Sequence, residues 1–363
     1  MRDRVVLSRV VAVWYLLPCG EINAYIPAVP PNILLVRFSA MGDTLLMTPL
    51  IRALRLRHPE ARLTVVTRET YAPLFQHNPR ITDVIGWRQG SPLAELGRRL
   101  RADRFTHQLD LHGSLRSYAL RFRVGGRWTS YPKHRAARAT LIRTKRNLYR
   151  DRRPVAERYF DAARELDVAP DSGSLELFLP RGTLQAAEQF LARHGIGARR
   201  QLIAVAPGAS RFTKRWPRHH WVALVHRLVD SGNDVIVLGG AAELELAREI
   251  AAAGGAAAAS AAGDFDPAGT AALIKCARAL ISGDTGAMHL ATAVGTPVAA
   301  LFGPTVEAFG FFPYHAKAAV LQLELACRPC SAQGSAACPL KHHRCLQDLQ
   351  PEVVLDALRR LPR

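Results

Sequence analysis

The chain lacks any apolar run near the roughly 20 residues that a bilayer-spanning helix needs. The apolar run Val10 to Leu17, behind Arg2 and Arg4, is far too short. No G-x-G-x-x-G follows the apolar stretch Asp234 to Leu238, only Gly239-Gly240, which argues against a nicotinamide-dependent oxidoreductase. No repeat of solenoid length is present, and Ala251 to Ala262 is an alanine-rich bias. Acids are scarce: 30 Asp and Glu stand against 49 Lys and Arg, a formal charge of +19. The imbalance is concentrated from Arg121 to Arg153, where twelve basic residues meet one acid, Asp151. That stretch has no aromatic stacking pattern and no recognisable reading module, so nucleic acid is not the expected partner. An anionic surface or substrate is, because clustered cations each gain about 1 kcal/mol near anionic lipid. A merely solvated basic face is the other reading.

With 363 residues and 48% apolar composition, the chain has length for two domains with cores of their own. Strand-like runs at Asn32–Arg37, Leu63–Thr67, Asp83–Gly86 and His107–Leu111 alternate with helical patterns, one of them Leu45 to Arg57. The alternation resumes at Leu202–Ala206, Asp234–Leu238, Ala279–Ser282 and Pro297–Phe302. It predicts an α/β fold with parallel sheets and crossover helices. Pro170, Gly173 and Pro180 punctuate a polar stretch from Asp167 to Arg181, the expected junction. The expected parts are an N-terminal extension over 1–31, domains over 32–175 and 176–349, and a C-terminal helix over 350–363. The extension reads as an interfacial anchor or a mis-assigned start.

The densest chemistry lies at Ser282-Gly283-Asp284-Thr285-Gly286-Ala287-Met288-His289, after the strand that ends near Ile281. A helix N-terminus offers unpaired N–H groups and partial positive charge, and glycine lets a phosphate approach the backbone. Thr285 can add a hydroxyl donor, and His289, four residues on, would face the same spot. Gly42-Asp43-Thr44 repeats the pattern at the end of the first strand. Four of six cysteines cluster as Cys327, Cys330, Cys338 and Cys345, with His342 and His343 between the last two. Structural metal, reduced thiols and disulfides all remain open for them.

Taken together, these segments resemble glycosyltransferase family 9, the bacterial lipopolysaccharide heptosyltransferases. The resemblance rests on Leu34-Leu35-Val36-Arg37-Phe38-Ser39-Ala40-Met41-Gly42-Asp43-Thr44, on Asp110-Leu111-His112-Gly113-Ser114-Leu115-Arg116-Ser117, on Ala206-Pro207-Gly208-Ala209 and on Lys214-Arg215-Trp216-Pro217. The stretches from Ser282 to Ala291 and from Cys338 to Cys345 complete it.

This resemblance implies a GT-B architecture, two Rossmann-like domains facing across a cleft, with the acceptor on the N-terminal half and the nucleotide sugar on the C-terminal half. It implies inverting transfer of heptose from ADP-heptose to the lipopolysaccharide inner core, with no metal or other cofactor required. The acceptor would be a lipid-linked anionic glycan, met by a peripheral protein at the cytoplasmic face of the inner membrane. Asp43 would be the base and Lys214 would offset charge on the leaving diphosphate. Thr285, Gly286 and His289 would hold phosphates, and Asp284 would orient the helix start or contact the sugar. Glu243, or its neighbour Glu245, would bind the ribose. Gly42, His112 and Arg116 fall on the acceptor side. The alternatives are another nucleotide-sugar donor or surface-glycan acceptor within the family, or a non-catalytic polyanion-binding protein.

Overall fold

The computed structural model describes residues 30–362. The expected N-terminal extension therefore lies, apart from Pro30 and Pro31, outside the described residues.

Ile33 to Val36 are apolar without alternation and fully buried. Such a run suits a parallel strand covered by helices on both faces. It forms β1 (Asn32–Val36), the centre of a parallel sheet with β2 (Arg62–Arg68), β3 (Asp83–Trp87), β4 (His107–Asp110) and β5 (Trp128–Ser130) in the order β3-β2-β1-β4-β5. Leu35 pairs with Val65 on one side and Leu109 on the other. The second half builds another parallel sheet from β6 (Gln201–Ala206), β7 (Asn233–Val237), β8 (Ala258–Ser260), β9 (Ala279–Gly283), β10 (Val298–Phe302) and β11 (Ala318–Gln322). Its order is β11-β10-β9-β6-β7-β8. Both orders reverse direction beside the first strand of the half, between β1 and β4 and between β6 and β9. The chain leaves the two strands at such a point toward opposite faces, opening a crevice at their carboxyl ends. Two Rossmann-like halves of this kind make the GT-B fold expected from the resemblance.

One expected element differs. The pattern from Leu45 to Arg57 is two helices, Met41–Leu45 and Thr48–Arg57. Pro49 sits in the first turn of the second, where its missing N–H costs nothing, but one helix continuous through it would set its ring against the carbonyl of Leu45. The break lets the short helix aim independently at the other half.

The halves share a hydrophobic cluster in which Leu35, Leu50 and Leu109 join Ala204, Met288 and Leu290. Tyr159 donates to the Asp43 carbonyl at 3.3 Å, and nearby Arg158 donates to the Phe309 carbonyl at 2.7 Å. Glu176 pairs with Arg52 and Arg80 of the first half, while the Leu177 N–H donates to the Ala293 carbonyl of the second. The segment around Glu176 is thus tied to both sides. Helix Pro351–Arg360 buries Val354 and Leu358 against the cluster containing Trp216 and Trp221.

Candidate active site

The switch point of the first sheet is built from the residues after β1. Ala40 is extended and caps helix Met41–Leu45, and the Asp43 carboxylate returns to accept from the Ala40 N–H at 3.0 Å. Its other oxygen, Oδ1, pairs with Arg37 Nη2 at 2.6 Å. Arg37 also donates to the Leu111 carbonyl. Burial alone would raise the Asp43 pKa, but the Arg37 charge and the Ala40 and Arg37 hydrogen bonds leave it below the usual carboxylate range. Arg37, reciprocally, stays firmly protonated despite its burial. Asp43 is therefore an ionised carboxylate whose side chain is 17% exposed.

The adjacent loop after β4 is held by Asp110, whose Oδ1 accepts from the N–H groups of His112 and Gly113 and whose Oδ2 accepts from Ser117 Oγ. His112 lies edge-on to Phe38 with ring centroids 5.7 Å apart. Burial first, then Arg37 and Lys133, push it down to about 3, so it is neutral. Lys133 donates to the carbonyls of His112 and Gly113, and Arg135 donates to Gly113 at 2.8 Å. Burial and the neighbouring cations lower Lys133 to about 8. Arg116 lies 5.0 Å over the Trp87 ring. Lys133 lies near enough to Arg37 and Asp43 for their charges to act on it.

In the second sheet, Lys214 sits in a short turn, Phe212–Lys214, after β6, and Asp284 follows β9. Lys214 Nζ pairs with Asp284 Oδ2 at 2.7 Å and donates to the Asp284 carbonyl at 3.1 Å. Asp284 Oδ2 also accepts from Thr305 Oγ1 at 2.7 Å. Asp284 is thus a fixed anchor for the lysine rather than the helix cap. That position belongs to Thr285, whose hydroxyl meets Ser282 Oγ at 3.1 Å, and among the described residues the first N–H groups of helix Gly286–Val294 have no side-chain acceptor. Glu243 receives the Gly240 N–H at 2.7 Å and crosses over Gly208, where an added Cβ would lie 2.6 Å from the glutamate Cγ. Glu245 is exposed on the helix that follows.

The two Gly-Asp-Thr segments meet. A Cβ on Gly42 would overlap the His289 ring, and one on Gly286 would overlap Met41. His289 is 4% exposed, and its Nδ1 has no hydrogen-bond partner among the described residues. Burial outweighs the attraction of Asp284 and Asp43 and lowers it to about 4. His289 therefore stands, uncharged, between the carboxylates of the two halves. Asp43, Gly42, His112, Lys214, Asp284, Gly286 and His289 form one locus. Thr285 borders it and Glu243 flanks it after β7, while Arg116 stands further out, engaged with Trp87.

The described cysteines, Cys327, Cys330, Cys338 and Cys345 among them, are free thiols. Burial and the neighbouring sulfurs raise Cys345 to about 11. Among the described residues no group of three or more His, Cys, Asp or Glu side chains is placed to hold a metal ion. Sequence reasoning missed Arg37, Lys133 and Thr305. A lone arginine ending the apolar run of β1 was the one legible signal.

The sequence profile of Glycosyltransferase family 9 (heptosyltransferase) matches residues 93–341. Lipopolysaccharide heptosyltransferase 2 of Salmonella typhimurium is 29% identical over 355 residues, covering 91% of this chain and 98% of that protein. Lipopolysaccharide heptosyltransferase 1 of Pseudomonas aeruginosa is 28% identical over 339 residues, covering 88% and 92%. Among solved structures, E. coli ADP-heptose LPS heptosyltransferase II superposes with a TM-score of 0.71 at 26% identity, covering 91% of this chain and 98% of that one.

Proposed function

Since the chain belongs to glycosyltransferase family 9 and is a glycosyltransferase, we propose that it transfers heptose from ADP-heptose to an acceptor sugar of the lipopolysaccharide inner core, with inversion and without a metal. The observation that carries this reading is the meeting of an ionised carboxylate, Asp43, with a cation and a helix N-terminus, Lys214 and Gly286, across one contact between the halves.

The reaction is a single displacement. Asp43 uses one oxygen for Arg37 and the other for the Ala40 N–H, and a carboxylate has lone pairs beyond these two bonds. One of them takes the proton of the acceptor hydroxyl as its oxygen bonds to the anomeric carbon. The lowered pKa keeps Asp43 deprotonated at neutral pH and makes it a weak base. That suffices when the proton leaves late, after bond formation has made the attacking oxygen acidic. The bond from the anomeric carbon to the diphosphate breaks on the opposite face and ADP departs. Lys214 spends two donors on Asp284 and keeps a third for the leaving oxygen. The free N–H groups of helix Gly286–Val294 add to it, so charge growing on the diphosphate meets groups already in place. Glu243, anchored at Gly240 and lying on Gly208, is oriented to accept from the ribose. Lys133, Arg135 and Arg116 favour an acceptor carrying phosphates or acidic sugars. Such an acceptor is lipid-linked, which puts the work at the cytoplasmic face of the inner membrane.

The test is turnover of ADP-, UDP-, GDP- and dTDP-sugars with inner-core acceptors, beside donor binding by calorimetry. Asp43→Asn is expected to bind donor like the parent and to lose about 10²- to 10⁴-fold in transfer, the usual range for a general base. Equal transfer by the variant, or no turnover of any nucleotide sugar by the parent, overturns the reading.

A further inference from the structure

Helix Leu115–Val124 buries Ser117, Leu120 and Val124 against the first sheet. Its opposite face should be polar for a helix facing water. It is apolar instead: Leu115 is 90% exposed, Phe122 88% and Tyr118 48%. At spacings of three, four and seven residues these side chains form one outward ridge, with Ala119 between them. Arginines flank it on both sides: the exposed Arg123 and the half-buried Arg116, over Trp87, on one, and the half-buried Arg121, 3.6 Å from Asp110 Oδ2, on the other. The neighbouring helix Leu93–Ala102 lies close, since a Cβ on its Gly97 would be 2.8 Å from Arg123 Cβ, and its Arg101 donates to the Arg123 carbonyl. Ser114, which caps the ridge helix, follows the His112-Gly113 loop directly, so the ridge starts at the rim of the acceptor site.

An exposed apolar strip with cations along both edges suits the interface of a bilayer, where rings and aliphatic chains enter the acyl boundary and guanidinium groups reach lipid phosphates. A second copy of the same face would bring the arginines of both copies together. Nucleic acid would leave Leu115 and Phe122 without a reason to be exposed. We infer that helix Leu115–Val124 docks the protein onto an anionic phospholipid surface, Phe122 and Leu115 entering the bilayer and the flanking arginines binding headgroup phosphates. Docked this way, the helix turns the mouth of the acceptor site toward the membrane.

Flotation of the full-length chain with vesicles tests this. The chain is expected to bind phosphatidylcholine vesicles containing phosphatidylglycerol, and much less to phosphatidylcholine alone. Phe122→Ser and Leu115→Ser should each weaken binding by about tenfold or more. Both positions are exposed, so urea unfolding should match the parent. Phe122→Trp should shift its emission to the blue on anionic vesicles. Flotation needs no nucleotide sugar, so its outcome is separate from that of the transferase reading. Turnover on a water-soluble acceptor should be unchanged in Phe122→Ser, with loss confined to a vesicle-borne acceptor. Vesicle binding by Phe122→Ser equal to the parent overturns the inference. So does light scattering that shows a parent dimer separated into monomers by Phe122→Ser, or a parent that binds single-stranded DNA through Phe122 and not vesicles.

Discussion

Replacing Arg37 with Met removes the group that sets the charge state of the proposed base. The Arg37 and Asp43 side chains are only 7% and 17% exposed, so solvent screens the pair weakly. Removing one partner of a buried ion pair costs about 3–5 kcal/mol, because the other charge stays buried without compensation. The loss of the donor to the Leu111 carbonyl is contained in that figure. Asp43 keeps the Ala40 N–H, but burial, no longer opposed by Arg37, carries its pKa above the usual carboxylate range. The sign of the pH dependence follows. In the parent, where the folded pKa is depressed, the Asp43 contribution to stability is present above the unfolded pKa near 4 and is lost as pH falls through the folded value. In Arg37→Met the folded pKa lies above the unfolded one, so Asp43 destabilises at neutral pH, and that part of the deficit shrinks as acid protonates it. Urea unfolding from pH 7 down to pH 4 reads the first effect. The acid limb of kcat/KM reads the second and is expected to move to higher pH. A deficit that stays constant over that range, with an unmoved acid limb, refutes the argument.

Three further outcomes follow from the same geometry. Lys214→Met is expected to lower kcat by about 10²- to 10³-fold, the cost of losing one fixed donor to a developing anion, with Lys214→Arg recovering part of it; unchanged single-turnover rates exclude that role. Gly42→Ala puts a methyl group into the His289 ring and should cost about 1–3 kcal/mol by overpacking. A Gly42→Ala, His289→Ala double variant should recover part of that loss in urea unfolding, and strict additivity would sink the contact. Gly208→Ala should displace Glu243 and raise KM for the donor more than it lowers kcat, measured with donor varied at saturating acceptor.

Much of the architecture was legible because parallel strands covered on both faces must be continuously apolar, as Ile33 to Val36 and Ala279 to Ile281 are. The three-residue strands β5 and β8, and β11, were not expected. Trp128–Ser130 lies within the basic stretch, where charge density hid three residues with no fully buried side chain. The break between helices Met41–Leu45 and Thr48–Arg57 was readable in Pro49, but the surrounding apolar spacing masked it. Asp43 was singled out by its motif, whereas its pairing with Arg37 was not, since a neighbour six residues away across a loop and a helix start leaves no periodic trace.

The amino-acid sequence by itself determined the alternation of strands and helices, the two Gly-Asp-Thr turns at strand ends and the family they belong to, because each is written in neighbouring residues. Only the tertiary structure decided which groups meet: Lys214 with Asp284, His289 with Gly42, and Arg37 beneath Asp43. It also decided that the apolar ridge of helix Leu115–Val124 faces outward. Ion pairs between segments 70 residues apart depend on which strands lie side by side in a sheet, the buried face of a helix depends on how it packs on that sheet, and local spacing carries no record of either.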